Sequence, residues 1–333
     1  MATVAATQAL LDVNELRVAY RDHATRAVVP IVDGVSFSLR RGEALGLAGE
    51  SGCGKTTTAL ALLGLLPSGL RRVGGEMTLN STRGVMHLQR RTASGWRELR
   101  WQTVSIVFQG AMNALDPIMR IDRQIAEAIR LHEPGADAQA RVGELLERVG
   151  IPRSRRTQYA HEFSGGMRQR VMIALALACG PELIIGDEPT TALDVMTQGQ
   201  ILQLFEELRR DLGLALLLIT HDLSVIAETC DRVAIMYAGQ IVEQGTVREV
   251  LETPKHPYSE RLLSGFAHVG GSRELGQPIP GAPPHPGEPF PGCRFAPRCH
   301  KVFPACTKAP IPLFLDAQGR ESRCLLSDGA VEH

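Results

Sequence analysis

Short, continuously apolar runs alternate along the chain with stretches whose apolar positions recur at helical spacing, up to about residue 250. That alternation is the pattern of an α/β domain. Residues 10–20 and 32–39 alternate apolar and polar side chains and predict strands of an antiparallel β-element. Residues 44–48 are uniformly apolar and predict a buried strand, and residues 58–63 the helix after it. Further strands are predicted over 76–88 and 101–108. Strand character is then lost between 119 and 178, where residues 121–131, 138–149 and 165–178 read as helices, the pattern of a helical insertion. It returns at 182–186 and 215–220, each run ending in polar residues, and residues 232–244 predict a hairpin turning at Ala238-Gly239. Beyond Thr253 the composition changes. Seven prolines between Pro278 and Pro291 exclude a regular helix or central strand there and predict an extended segment leading into a small module.

With 333 residues the chain has room for one large or two unequal domains, and the boundary is placed between 252 and 253. The formal charge is zero, so no global electrostatic attraction to nucleic acid or anionic lipid exists. The longest apolar runs, residues 60–66 and 214–219, are too short to cross a bilayer. Asp12 and Glu15 fall where a signal peptide needs basic-then-apolar order, so a soluble, cytosolic chain is expected. Cysteine is spread unevenly: Cys179 and Cys230 read as small apolar core residues, whereas Cys293, Cys299, Cys306 and Cys324 crowd the C-terminal end.

The densest chemical signal follows the strand predicted over 44–48. Gly49-Glu50-Ser51-Gly52-Cys53-Gly54-Lys55-Thr56-Thr57 fits the phosphate-loop pattern G-x-x-x-x-G-K-[ST] between a strand and a helix. Glycines let successive backbone N–H groups turn toward an anion, and the helix adds the positive end of its dipole. Lys55 is expected to reach the β- and γ-phosphates and Thr56 to ligate Mg²⁺. A nucleoside triphosphate is the expected ligand. Residues 183–188 form an apolar strand ending in Asp187-Glu188, suited to Mg²⁺ and to an attacking water respectively, although two acids after a strand also suit a solvated strand end. Gly186 is smaller than the apolar residue usual there. Between the two motifs, Ser164-Gly165-Gly166 precedes a predicted helix and forms a second backbone-donor nest.

In this order and spacing the motifs resemble the ATP-binding subunits of ABC transporters, over about residues 10–250. The resemblance implies a P-loop NTPase core of the α/β class, carrying an antiparallel β-subdomain and a helical insertion of about 110–178. Phe163-Ser164-Gly165-Gly166-Met167 resembles the family signature, with Phe163 for the usual Leu and Met167 for the usual Gln. By the same resemblance Tyr20 stacks on adenine, and Gln109 touches Mg²⁺ or water and signals to the membrane partner. Residues 191–194 are the D-loop, and His221, 33 residues past Glu188, reaches the γ-phosphate. Two such domains would sandwich two ATP molecules head to tail. Ser164, Gly165 and Gly166 then serve the partner's nucleotide, while Lys55, Asp187 and Glu188 serve the chain's own.

Residues 108–117 and 253–259, with Leu262-Leu263, resemble the dipeptide, oligopeptide and nickel importer branch, as does the stretch 291–299. That extends the likeness over nearly the whole chain. It implies a second, different ATPase chain, two transmembrane permease subunits, an extracytoplasmic substrate-binding protein, and a peripheral place on the cytoplasmic face of the membrane. Nickel or another solute is the alternative cargo. A soluble ABC ATPase of translation or DNA repair fits poorly with one phosphate loop and no coiled-coil insertion. The four cysteines are spaced Cys-x₅-Cys-x₆-Cys-x₁₇-Cys. A cytosolic setting disfavours disulfides, and zinc prefers tighter pairs. A [4Fe–4S] cluster takes four thiolates and suits the wider gaps; members of the branch that resemble this chain carry one. Iron–sulfur, zinc and free thiols or disulfides all stay open on sequence, with a structural staple as the expected role.

Overall fold

The computed structural model describes residues 8–21, 28–108, 110, 114–191, 193–265 and 279–327. Gln109 and Ala192, and residues 111–113 of the importer-like stretch, lie outside the described residues. Strands β1 (Leu11–Arg21), β2 (Val28–Leu39) and β3 (Ala44–Ala48) precede helix α1 (Lys55–Leu62). Then come β4 (Leu70–Ser81), β5 (Gly84–His87), α2 (Ala93–Leu99) and β6 (Val104–Val107). Three helices follow, α3 (Ile121–His132), α4 (Ala138–Arg148) and α5 (Gly165–Ala176). After β7 (Leu183–Asp187) come α6 (Val195–Leu212), β8 (Ala215–Ile219) and α7 (Leu223–Thr229). The chain closes with β9 (Arg232–Tyr237), β10 (Gln240–Thr246), α8 (Val247–Glu252), α9 (Pro257–Ser264), β11 (Phe314–Leu315) and β12 (Glu321–Ser322). These elements fall into two compact units: Met1–Leu10, Leu39–Ala44 and Leu79–Leu218 form the first, and Leu11–Ser38, Leu45–Thr78 and Ile219–His333 the second.

In the first unit, α3 buries Ile121, Ile125, Ala128 and Ile129, the stripe its apolar spacing predicts. Asp137 caps α4 by accepting from the N–H groups of Gln139 and Ala140, each at 3.1 Å. Strand β7 is buried along its whole length and runs parallel to β6, with Val104 opposite Leu183 and Val107 opposite Gly186. Its entry is anchored by Glu182, which accepts from Arg41, from the Ser81 hydroxyl and, at 3.1 Å, from the Thr82 N–H. Burial by itself would raise the Glu182 carboxyl, but these hydrogen bonds outweigh it and hold the group below its ordinary value.

In the second unit, β1 lies hydrogen-bonded between β2 and β4. Buried β3 runs parallel to β9, Leu45 opposite Arg232 and Ala48 opposite Ile235. The β9–β10 hairpin turns at Ala238 (φ 46°) and Gly239 (φ 85°), two successive left-handed residues as a type I′ turn requires. Antiparallel β12 then adds to β10, and β11 to β12. Tyr237, Tyr258 and Phe295 are fully buried against one another, with ring centroids 4.6 to 5.3 Å apart. Helix α9 starts where His256 caps it and Pro257 fills the first turn. The buried Glu243 carboxylate pairs with Arg320 and accepts from the N–H groups of Lys255 and His256, at 2.8 and 3.0 Å. These rings and ion pairs tie the C-terminal extension into the unit's core.

Candidate functional site

The loop between β3 and α1 is shaped by contacts that admit only glycine at its first position. Gly49 has φ 150°, and a β-carbon there would stand 2.1 Å from the Met236 carbonyl oxygen. Cys53 and Lys55 are buried, whereas Ser51, Gly52 and Thr56 face outward. The Lys55 ammonium donates to the Gly49 and Glu50 carbonyls at 2.7 and 3.0 Å, which folds it back over the loop it would use to hold a phosphate. Helix α1 opens on Gly54 with no side-chain cap and no acid in its first turn. Nothing at this helix end competes with a bound anion for the dipole. Burial pushes the Cys53 thiol up against the lowering pull of Lys55, so it stays an uncharged wall residue.

In the same unit, the Thr220 N–H donates to the Leu47 carbonyl at 3.3 Å, which sets the exposed His221 at the exit of β8 near the end of β3. Asp222 then accepts from the Ser224 N–H at 2.9 Å and starts α7. Tyr20, on β1, has a 39% exposed side chain whose ring packs on Gly69, where a β-carbon would meet it at 2.8 Å. That leaves one aromatic face available to solvent.

The first unit carries the remaining motifs. Ser164 caps α5 by accepting from the Met167 N–H at 3.4 Å. Phe163 is buried and lies under the Arg155 guanidinium, 4.7 Å from its ring centroid, and Arg155 also donates to the Met167 sulfur at 3.1 Å. Thus the two departures from the usual signature are packed by one arginine. Gly166 lies directly against Thr197 at the start of α6. Asp187 is buried at the end of β7. Glu188 takes the left-handed conformation (φ 48°) and accepts from the Thr191 hydroxyl at 3.0 Å. Gly186 has its explanation here: a β-carbon would be tight against Pro189 and Leu218, at 3.2 and 3.3 Å.

The C-terminal cysteines converge. Cys293, Cys299, Cys306 and Cys324 line a single small cavity of about 20 Å³, with His256, Phe295 and Phe303 among its other walls. All seven cysteines are free thiols, which removes the disulfide alternative. Burial pushes the Cys293 and Cys299 thiols up, and that of Cys324 to about 11. Burial likewise pulls His256 down to about 3, so it is neutral. Its Nδ1 accepts from the Tyr258 N–H at 3.0 Å, which leaves the proton on Nε2, a buried atom with no hydrogen-bond partner among the described residues. Among the described residues, no three His, Cys, Asp or Glu side chains stand close enough to hold a metal ion, so as the thiols stand neither a four-thiolate zinc site nor a cluster site is formed.

Sequence reasoning missed one highly connected residue of the region. Arg298 lies in the importer-like stretch 291–299 but was given no role there, yet its guanidinium grips Glu50 of the β3–α1 loop. No helix among the described residues is long and apolar enough to cross a membrane.

Residues 32–191 match the family profile described as ABC transporter, and residues 242–306 the one described as oligopeptide/dipeptide transporter, C-terminal region. The chain is 44% identical to the oligopeptide transport ATP-binding protein OppD of Escherichia coli, across 95% of this chain and 93% of that one. A probable peptide ABC transporter ATP-binding protein of Sinorhizobium fredii, y4tR, is 43% identical over 97% and 96% of the two chains. Among solved structures, cbiO1 of Clostridium perfringens, part of an ABC transporter complex, superposes with a TM-score of 0.62 at 27% identity, covering 74% of this chain and 92% of that one. A dimeric bacterial ABC transporter cassette also has a TM-score of 0.62, at 24% identity over 72% of this chain and 99% of that one, a likeness of fold.

Proposed function

The chain belongs to the ABC transporter family of ATP-binding subunits, and on that premise we propose that it binds and hydrolyses ATP to power a peptide importer. The observation that carries the reading is a likeness running nearly the whole length of the chain. Relatives named for oligopeptide transport align across both the ATPase motifs and the C-terminal extension. We divide it at 252/253, with residues 110–178 as the helical subdomain and 253–333 as the importer-type extension.

Each motif residue is given the role that its resemblance to the family implies, and for Lys55, Glu188, Ser164 and Tyr20 the local geometry supports that role. The uncapped start of α1 and Lys55 hold phosphate oxygens, with Gly49, Ser51, Gly52, Cys53, Gly54 and Thr57 shaping the loop. The Thr56 hydroxyl and the Asp187 carboxylate are the oxygen donors for Mg²⁺, which when bound neutralises phosphate charge. Glu188, held by the Thr191 hydroxyl, orients the attacking water and takes its proton. His221 donates toward the γ-phosphate, and the exposed face of Tyr20 stacks on adenine. Gln109 keeps the role its motif gives it. Ser164, Gly165 and Gly166 serve the nucleotide of a second ATPase chain, a different one in this branch. Two permease subunits and a substrate-binding protein complete the importer, with this chain on the cytoplasmic face of the membrane.

For the four cysteines we retain a [4Fe–4S] cluster, supported by four free thiols on one cavity beside an unpartnered imidazole N–H. A cavity of about 20 Å³ has room for roughly one water, so seating a cluster would require the loops bearing the cysteines to part. Its contribution would be to staple a module too small to bury its own core.

Glu188→Gln tests the ATPase assignment in the assembled transporter. Turnover is expected to be abolished while ATP stays bound in a closed dimer. Turnover at the wild-type rate would remove Glu188 from the mechanism.

A further inference from the structure

The residue after Gly49 is an acid, an unexpected choice in a loop built to hold phosphate. Its carboxylate is not left to face the anion. Arg298 donates from Nη1 to Oε2 at 2.7 Å and from Nη2 to Oε1 at 3.0 Å, a fork-to-fork pair with side chains only 7% and 25% exposed. The guanidinium is fixed in turn: Nε donates to the Pro280 carbonyl at 2.8 Å, Nη2 to that of Gly281 at 3.3 Å, and Nη1 to the Tyr237 hydroxyl at 3.2 Å. Its backbone is equally set, with the Arg298 N–H on the Phe295 carbonyl at 2.9 Å in the tight turn between Cys293 and Cys299. The other end of Glu50 is held from the same extension, where the Tyr258 hydroxyl accepts its backbone N–H at 2.9 Å.

From this we infer that Arg298 is the built-in counter-ion of the phosphate loop: it neutralises Glu50 and, with Tyr258, positions it, so that nucleotide affinity depends on the C-terminal extension. The inference rests on reading residues 49–57 as the phosphate loop. An unpaired carboxylate beside bound phosphates opposes them in a partly desolvated setting, where one unit charge at close range is worth about a factor of ten or more in affinity. Arg298 is a positioning residue, since it touches Glu50 and not the nucleotide. The extension thereby becomes a component of the ATP site rather than an appendage to it.

The test is a titration of MgATP into the full chain and four variants by calorimetry. Arg298→Gln is expected to weaken binding about tenfold, and Glu50→Gln/Arg298→Gln to regain most of the loss, because the opposing charge is gone. A purely structural arginine gives no such rescue, so equal weakening in the single and double variants overturns the inference, as does wild-type affinity in Arg298→Gln. Glu50→Gln alone removes the acid while keeping the cation. Because the cation is then left unneutralised beside the phosphates, it is expected to tighten binding even if Arg298→Gln fails to fold, and weaker binding overturns the inference. Lys55→Ala separates the two readings: wild-type affinity there removes the phosphate-loop assignment itself.

Discussion

Gly166 and Thr197 stand so close that the site admits nothing larger than glycine, for a β-carbon at 166 would lie 2.4 Å from Thr197 Cγ2. Thr197 is held in place by hydrogen bonds. Asp194 accepts from its N–H at 2.9 Å and from its hydroxyl at 2.7 Å, and these bonds also hold the Asp194 carboxyl below its ordinary value. This contact therefore helps register the start of the signature helix against the start of α6. Gly166→Ala is expected to displace that register and cut ATP turnover of the assembled transporter by about a hundredfold, with ATP binding to the isolated chain retained. Unchanged turnover would show that the contact does not position the signature.

Tyr20 offers an exposed aromatic face next to Gly69. Replacing it with alanine removes a base-stacking platform worth about 1–3 kcal/mol, so MgATP affinity should fall roughly five- to a hundredfold. Tyr20→Phe keeps the ring and should bind as wild type. Equal affinities for alanine and phenylalanine would end the stacking role.

Glu182 predicts how the first unit responds to acid. Its folded-state carboxyl lies below the ordinary 4.5, so the unfolded chain takes up a proton first as pH falls. The stabilisation is fully present above that value and is lost as pH drops through the lower, folded-state value. Thermal melts across this range should show Glu182→Gln less stable at neutral pH but less sensitive to acid. A parallel pair of pH profiles would refute the linkage.

The cysteine cavity calls for elemental analysis. Protein purified without oxygen should contain roughly four irons and four acid-labile sulfides per chain, lost in Cys293→Ser. Zinc alone, or no metal, would replace the cluster with an ordinary metal site or with free thiols.

Much of the fold was legible because it depends on short-range pattern. The apolar run of β3, the glycines after it, and the helices α3, α4 and α5 fall within a few residues of expectation, and the Ala238-Gly239 turn is where the hairpin reading put it. The strand expected from 101 begins only at Val104, because Trp101 takes a left-handed turn (φ 74°). Helix α6 drew no sequence assignment, although Asp194 is an N-cap and Gly213 a left-handed C-cap. Helix α9 was hidden by the prolines around it, one of which starts it. What no local pattern could reveal is long-range pairing. Glu50 and Arg298 are distant in sequence, and neither residue type at its position announces the other. The same holds for Glu243 and Arg320, a buried pair joined only by tertiary structure.

The antiparallel addition of β12 to β10, Glu243 opposite Ser322 and Gln244 opposite Glu321, has a consequence for solubility. Without it β10 would present a row of unpaired backbone donors and acceptors, a template for strands of other molecules. The chain's own tail pairs with Glu243 and Gln244 of that edge, and β11, only two residues long and too short to recruit a neighbour, ends it there. A chain cut back to its ATPase motifs is expected to expose that part of the β10 edge and to self-associate more readily.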